Sequence, residues 1–169
     1  QRVMEICRDN NAFEMEKADT EEEKDSLWVI RRSISPALYA ISIGKISEDI
    51  CVPRSKVTQM LESIGEISKK YNFRIANFGH AGDGNIHVNI LTDPSVHGEI
   101  ERAEKAVEEI FAKVMELDGT LSGEHGVGNT KSKYLSLEIG SREMKLMKDI
   151  KKLFDPNGIL NPGKIFYDK

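Results

Sequence analysis

Cysteine, tryptophan and proline are scarce in this chain of 169 residues, which holds two, one and five of them. Cys7 and Cys51 fall short of a four-ligand zinc-finger set, and a single pair makes no disulfide framework. A reducing, cytoplasmic setting is the simplest expectation. No apolar run approaches the roughly 18 residues that a membrane-spanning helix needs. Positive charge is not in excess: 24 Lys and Arg face 28 Asp and Glu, for a net charge of −4. That balance argues against a nucleic-acid partner held by phosphate neutralisation. The first residues, from Gln1, show no charged-then-apolar leader pattern, and the expectation is a piece cut from a longer polypeptide. Repeats and low-complexity stretches are missing too. Hydrophobic residues make up 39% and charged residues 31%, enough at this length for one domain over 1–169 with a core of its own.

Periodicity lays out the elements. The opening QRVMEICRDN reads as the end of a helix, and NAFEMEKA as a short strand with Phe13 and Met15 on one face. Thr20 and Glu23 have capping-box spacing ahead of a helix bearing Leu27, Ile30 and Ile34, with a kink or break expected at Pro36. KISEDICVP alternates Ile46, Glu48 and Ile50 with Ser47, Asp49 and Cys51. Val57, Met60, Leu61, Ile64 and Ile67 form a helical stripe, as do Ile100, Ala103, Val107, Ile110, Phe111 and Val114. Between them, RIANF and NIHVNIL are strand-like and flank a glycine-rich turn. Ser141 is placed to cap a last helix with the stripe Met144, Met147, Ile150 and Phe154, and DPNGILNPGKIF is rich in turn residues. The central strands look like a hairpin. The fold class is therefore α+β, an antiparallel sheet with helices packed on one face in a ferredoxin-like manner, with a C-terminal helical segment.

Chemistry concentrates in two glycine-rich segments. His80 and His87 bracket the turn in GHAGDGNIH, and a strand–turn–strand path can bring both imidazoles to one point. His87 and Asn89 share a strand face. Glu124 and His125 lie in LSGEHGVG, where flanking glycines let the backbone pass close to a ligand. Two imidazoles and one carboxylate leave a metal with open positions, which suits catalytic Zn, Fe or Mn. The same residues are also compatible with hydrogen-bonded turns and no ion. His97, in a polar stretch at a helix start, reads as a surface or capping residue. Of Arg31 and Arg32, one could grip a substrate carboxylate with two parallel hydrogen bonds and the other pack its stem on Trp28; spacing does not choose. Ser35 and Lys45 could assist at such an anion site, or be structural. Near-matches fail on detail: after Gly128 a phosphate-binding loop needs Lys, and Asn129 stands there; Gly79, Gly82 and Gly84 do not fit G-x-G-x-x-G.

Taken in order, GHAGDGNIHVNIL, GTLSGEHGVGNTKSKYL and FDPNGILNPGKIF resemble the C-terminal domain of the FAD-linked oxidases, the family of glycolate oxidase, D-lactate dehydrogenase and D-2-hydroxyglutarate dehydrogenase. LWVIRRSISPAL and KISEDICVPRSKV resemble it as well, so the likeness covers the whole chain. It implies oxidation of a 2-hydroxy acid to a 2-oxo acid, with an upstream FAD-binding domain holding the flavin. His80, His87 and Glu124 match the family's metal ligands, and His125 its catalytic base. Arg31 matches the arginine that binds the substrate carboxylate, with Ser35 where some relatives have threonine. Lys45 falls near the family's substrate lysine, offset in the local alignment, and Asn161 matches the segment that approaches the flavin. At 169 residues there is no room for the FAD-binding domain, so this piece alone is expected to be inactive. An exposed sheet edge would invite self-association, and other oxidase subunits are conceivable partners that could bring it to a membrane. Two other classes fit the residues: a stand-alone metal-dependent hydrolase, and a non-catalytic α+β binding module.

Overall fold

The computed structural model describes residues 2–166. Contacts gather into two compact units, residues 1–41 and 42–169. Among the described residues no helix is long and apolar enough to cross a membrane.

The first unit is helical. Helix α1 spans Arg2–Asp9 and α2 spans Glu21–Ala37. Thr20 caps α2 as its spacing predicts: Thr20 Oγ1 accepts from the Glu23 amide at 3.2 Å, and Glu23 Oε2 accepts from the Thr20 amide at 3.0 Å. Three glutamates in the first turn complement the helix dipole. The helix stops one residue beyond Pro36 and passes into a 3-10 turn over Leu38–Ala40. Its less exposed stripe is Leu27, Arg31, Ile34, Ser35 and Leu38. The strand expected in NAFEMEKA is not formed, and Phe13 is fully in solvent. No other strand lies among the described residues of this unit, and a single extended segment has no partner for its backbone groups.

The second unit holds strand β1 (Gly44–Cys51), helix α3 (Val57–Tyr71), strands β2 (Ile75–His80) and β3 (Asn85–Thr92), and helices α4 (Glu99–Glu116) and α5 (Ser141–Phe154). The sheet order is β1-β3-β2, antiparallel throughout. An isolated bridge from Thr120 to Cys51 starts a fourth pairing on the outer edge of β1. With that bridge in the fourth strand's place, the order is that of a ferredoxin-like sheet. Alternation along the strands gives the sheet two faces. Ile50, Ile86, Val88 and Ile90 point at α3 and α4 and meet Met60, Ile64, Ile67, Ile110, Phe111 and Val114 in one core. The buried positions of α3 and α4 fall every three or four residues, so each helix lays one stripe on the sheet. Leu61, expected in the α3 stripe, is 40% exposed.

Two expectations for α5 need correction. Gly140, not Ser141, takes the cap position, and no side chain caps this helix. Its apolar stripe is not buried: Ile150 and Phe154 are exposed, joined at the surface by Leu146, Leu153, Ile159 and Leu160.

Candidate metal centre on the open face of the sheet

The face turned away from α3 and α4 carries Lys45, Ser47, Asp49 and Cys51 from β1, Asn85, His87 and Asn89 from β3, and Phe78 and His80 from β2. Pairing sets Asp49 and Phe78 on either side of His87, and Cys51 and His80 on either side of Asn85. The tight β2–β3 connection depends on Gly84: its φ is +76°, and its carbonyl accepts the Val52 amide at 3.0 Å. A Cβ there would run into the Val52 carbonyl.

The loop after Thr120 brings Glu124 and His125 onto this face. Oε1 of Glu124 lies 3.7 Å from Nε2 of His80, 3.2 Å from Nε2 of His87 and 3.7 Å from Nε2 of His125. One carboxylate oxygen is thus ringed by three imidazole nitrogens from three segments of chain. The His87 and His125 rings stack at 5.2 Å between centroids, and His80 meets His87 edge-on at 5.6 Å. Exposure grades outward, from 12% for the His87 side chain to 45% for His80, 50% for Glu124 and 60% for His125. Burial holds the His87 imidazole below its ordinary pKa against the opposing pull of Asp49 and Glu124.

Beneath the rings sits Asp49, wholly buried. Its Oδ2 accepts the backbone amides of Glu124 and His125, each at 2.8 Å, and its Oδ1 accepts from the Asn85 side chain. Burial alone raises such a carboxyl. The His125 and Glu124 amides, with Asn85 and Lys131, outweigh it and bring Asp49 down to about 2. Lys131 is buried as well; its Nζ donates to the Asp49 and Leu121 carbonyls, both at 2.8 Å. On the core face Glu48 Oε2 lies 4.0 Å from Lys131 Nζ without a hydrogen bond. Desolvation lifts Glu48 to about 7, against the opposing pull of Lys131.

The three residues singled out as ligands, His80, His87 and Glu124, therefore meet, and His125 meets them. Among the described residues, Asp49, His87, Glu124 and His125 offer ligand atoms all within 4.8 Å of one another, a group that does not include His80. Imidazole nitrogens and a carboxylate on a solvent-accessible face are a donor set that fits a divalent Zn, Fe or Mn ion. Lys45 lies on the same face, its Nζ 3.4 Å from Asn89 Oδ1, which also accepts from Ser47 Oγ at 2.8 Å. Arg31 and Ser35 lie on α2, in the other compact unit. Asn161 stands in the turns after α5, at positive φ, and lines an apolar groove of about 470 Å³ with Ile150, Phe154 and Leu160. His97 is exposed just before α4. Sequence reasoning passed over Asp49, Asn85 and Lys131. The alternation in KISEDICVP already sets Asp49 apart from the core side of its strand, but nothing in it foretells the amides it receives.

The family model "FAD linked oxidases, C-terminal domain" matches residues 1–165, and the chain belongs to that family. It is 44% identical over 166 residues to glycolate oxidase subunit GlcD of Bacillus subtilis, covering 98% of this chain and 35% of that protein. With the D-lactate dehydrogenase of Anaerostipes hadrus it shares 34% over 168 residues, 99% of this chain and 35% of the relative. With the D-2-hydroxyglutarate dehydrogenase of Stutzerimonas stutzeri it shares 37% over 153 residues, 88% of this chain and 32% of the relative. The chain thus spans about a third of the length of the relatives it matches.

Proposed function

We propose that this chain is the substrate- and metal-binding domain of an FAD-dependent enzyme that oxidises a 2-hydroxy acid, of glycolate or D-lactate type, to the 2-oxo acid. The observation that carries the reading is the ring of three Nε2 atoms around Glu124 Oε1 on the open face of the sheet. Membership of the family and the activities its relatives are named for supply the substrate class.

His80, His87 and Glu124 would hold a divalent ion, whose positive charge would lower the pKa of a nearby hydroxyl. Oxidation removes the hydroxyl proton and a hydride from the adjacent carbon, and FAD on a companion domain would supply the hydride acceptor. His125 takes the hydroxyl proton at Nε2, the nitrogen on the Glu124 side; its Nδ1 faces the buried Asp49 at 4.0 Å. Arg31, with Ser35 beside it on α2, grips the substrate carboxylate, and Lys45 adds positive charge on the sheet face. Asn161 belongs to the surface that meets the flavin. The exposed apolar side chains of α5 and the following turns support the FAD-binding domain as the partner that covers them.

The test uses the FAD-containing enzyme that carries these residues, assayed with glycolate, D-lactate and an artificial electron acceptor. His125→Ala is expected to lower kcat by about 100-fold or more with flavin content unchanged. Unchanged turnover would reject the base, and inactivity of the parent enzyme on every 2-hydroxy acid tried would reject the substrate class.

A further inference from the structure

We infer that Asp49 is a positioning residue: it fastens the Glu124–His125 segment to β1 and backs the His87 and His125 rings, so that the donor set is assembled before an ion arrives. This rests on the metal-binding reading above. Asp49 stands in the group that geometry alone offers as ligands, yet three of its roughly four lone-pair sites are already engaged. Oδ2 accepts two consecutive amides at 2.8 Å, and Oδ1 accepts from Asn85. Successive amides converging on one oxygen fix the local backbone of the two residues that carry the acid and the base. The carboxylate also lies on the Nδ1 side of two rings, 3.7 Å from His87 and 4.0 Å from His125, while their Nε2 atoms turn to Glu124. Both distances exceed a hydrogen bond, so the carboxylate acts on the rings as a negative charge behind Nδ1, and its direct hold is on the backbone that carries Glu124 and His125. It has no exposed surface, so an ion on the open face meets Glu124 and the ring nitrogens first.

Gly123 passes so close that a Cβ would collide with Asn85 Nδ2 and stand 3.0 Å from Asp49 Oδ1. Lys131 anchors the strand carbonyl of Asp49 and the loop carbonyl of Leu121 together from behind. Strand and loop are thus tied through the Asp49 side chain and through its carbonyl, which also accepts the Gly123 amide at 3.2 Å, in addition to the Thr120–Cys51 bridge.

Two measurements decide the matter. Zinc affinity is read by competition with a chromophoric chelator at pH 7.5, and hydrogen exchange at single amides in the metal-free protein. Asp49→Asn offers one carbonyl oxygen and one amino group, so it cannot satisfy both amides and the Asn85 donor together. Loss of an outer partner of this kind is expected to weaken zinc binding about 10–100-fold. Pairing it with Asn85→Asp restores a donor and acceptors across the same gap, and affinity is expected to return to within about fivefold of wild type. Zinc affinity of a folded Asp49→Asn variant within twofold of wild type would overturn the inference. Should that variant fail to fold, wild-type exchange decides: the Glu124 and His125 amides are expected to exchange at least about tenfold slower than that of Gly126, and equally fast exchange at all three would overturn the role. Absence of zinc uptake by the wild type would reject the metal reading alone, leaving the exchange result to judge Asp49.

Discussion

Nε2 of His87 and Oε1 of Glu124 stand 3.2 Å apart, although 37 positions of sequence separate them. His87 is fixed by the ladder of the central strand, which pairs on both sides. Glu124 is fixed by its backbone amide on Asp49, itself directly across the sheet from His87. The two chemical groups therefore meet because one strand pairing and one buried carboxylate share a register, not because either loop is short.

Depth separates the two strand histidines. His87 is nearly buried on β3, while His80 is half-exposed at the end of β2. His87→Ala is expected to weaken zinc binding beyond the roughly 100-fold that losing an outer partner costs, and His80→Ala to weaken it less. Chelator competition on the two folded variants checks this; equal losses would contradict the ranking.

The hairpin turn makes a second prediction. Gly84 has φ +76°, and a Cβ there meets the Val52 carbonyl. Gly84→Ala is expected to cost about 2–3 kcal/mol, from left-handed strain plus displacement of the Val52 amide bond. Urea unfolding measures it, and a change under 0.5 kcal/mol would show that the turn relaxes freely.

Much of this was readable from residue patterns, for reasons that also explain the gaps. Alternation set Asp49 opposite Ile46 and Ile50 and put His87 on one face with Asn89, since side chains on a strand can only point two ways. Helical spacing found α3 and α4 because both lay an apolar stripe on the sheet. The same spacing in α5 misled, because periodicity reports an apolar face and not what covers it. NAFEMEKA misled for a related reason: strand propensity needs a neighbouring strand to be realised. Glu124 and His125 stood out by composition, while the acceptor of their amides was silent, because hydrogen bonds between residues 75 positions apart leave no local trace.

Lys131 gives a third prediction. It is buried, donates to two carbonyls, and stands 4.0 Å from Glu48 and 3.9 Å from Asp49. Lys131→Met fills the space but removes the cation and takes a donor from two carbonyls, of which that of Asp49 keeps the Gly123 amide at 3.2 Å. A loss of about 3–5 kcal/mol is expected, as for breaking one side of a buried pair. The variant also raises Glu48 further, since the charge that opposes its desolvation is gone. A denaturant titration at pH 7 that finds less than 1 kcal/mol would contradict the buried-pair account.

Glu48 sets the pH dependence of folding. Its folded pKa of about 7 stands above the ordinary 4.5, with burial the main cause and Lys131 opposing. Below pH 4.5 the group is protonated whether folded or not. As pH rises from 4.5 to 7, the unfolded chain gives up this proton while the folded protein retains it, so stability falls across that window and levels off above it. A change from 4.5 to about 7 corresponds to about 3 kcal/mol. Glu48→Gln is uncharged throughout and escapes this loss. Asp49, lowered to about 2, gives up its own contribution only as pH falls through that value, and His87 titrates in both proteins, so neither alters the comparison. Urea midpoints at pH 5 and pH 8 provide the check. The stability of Glu48→Gln relative to wild type should improve by about 2–3 kcal/mol between the two, and a pH-independent difference would mean that Glu48 is ionised in the folded core at both.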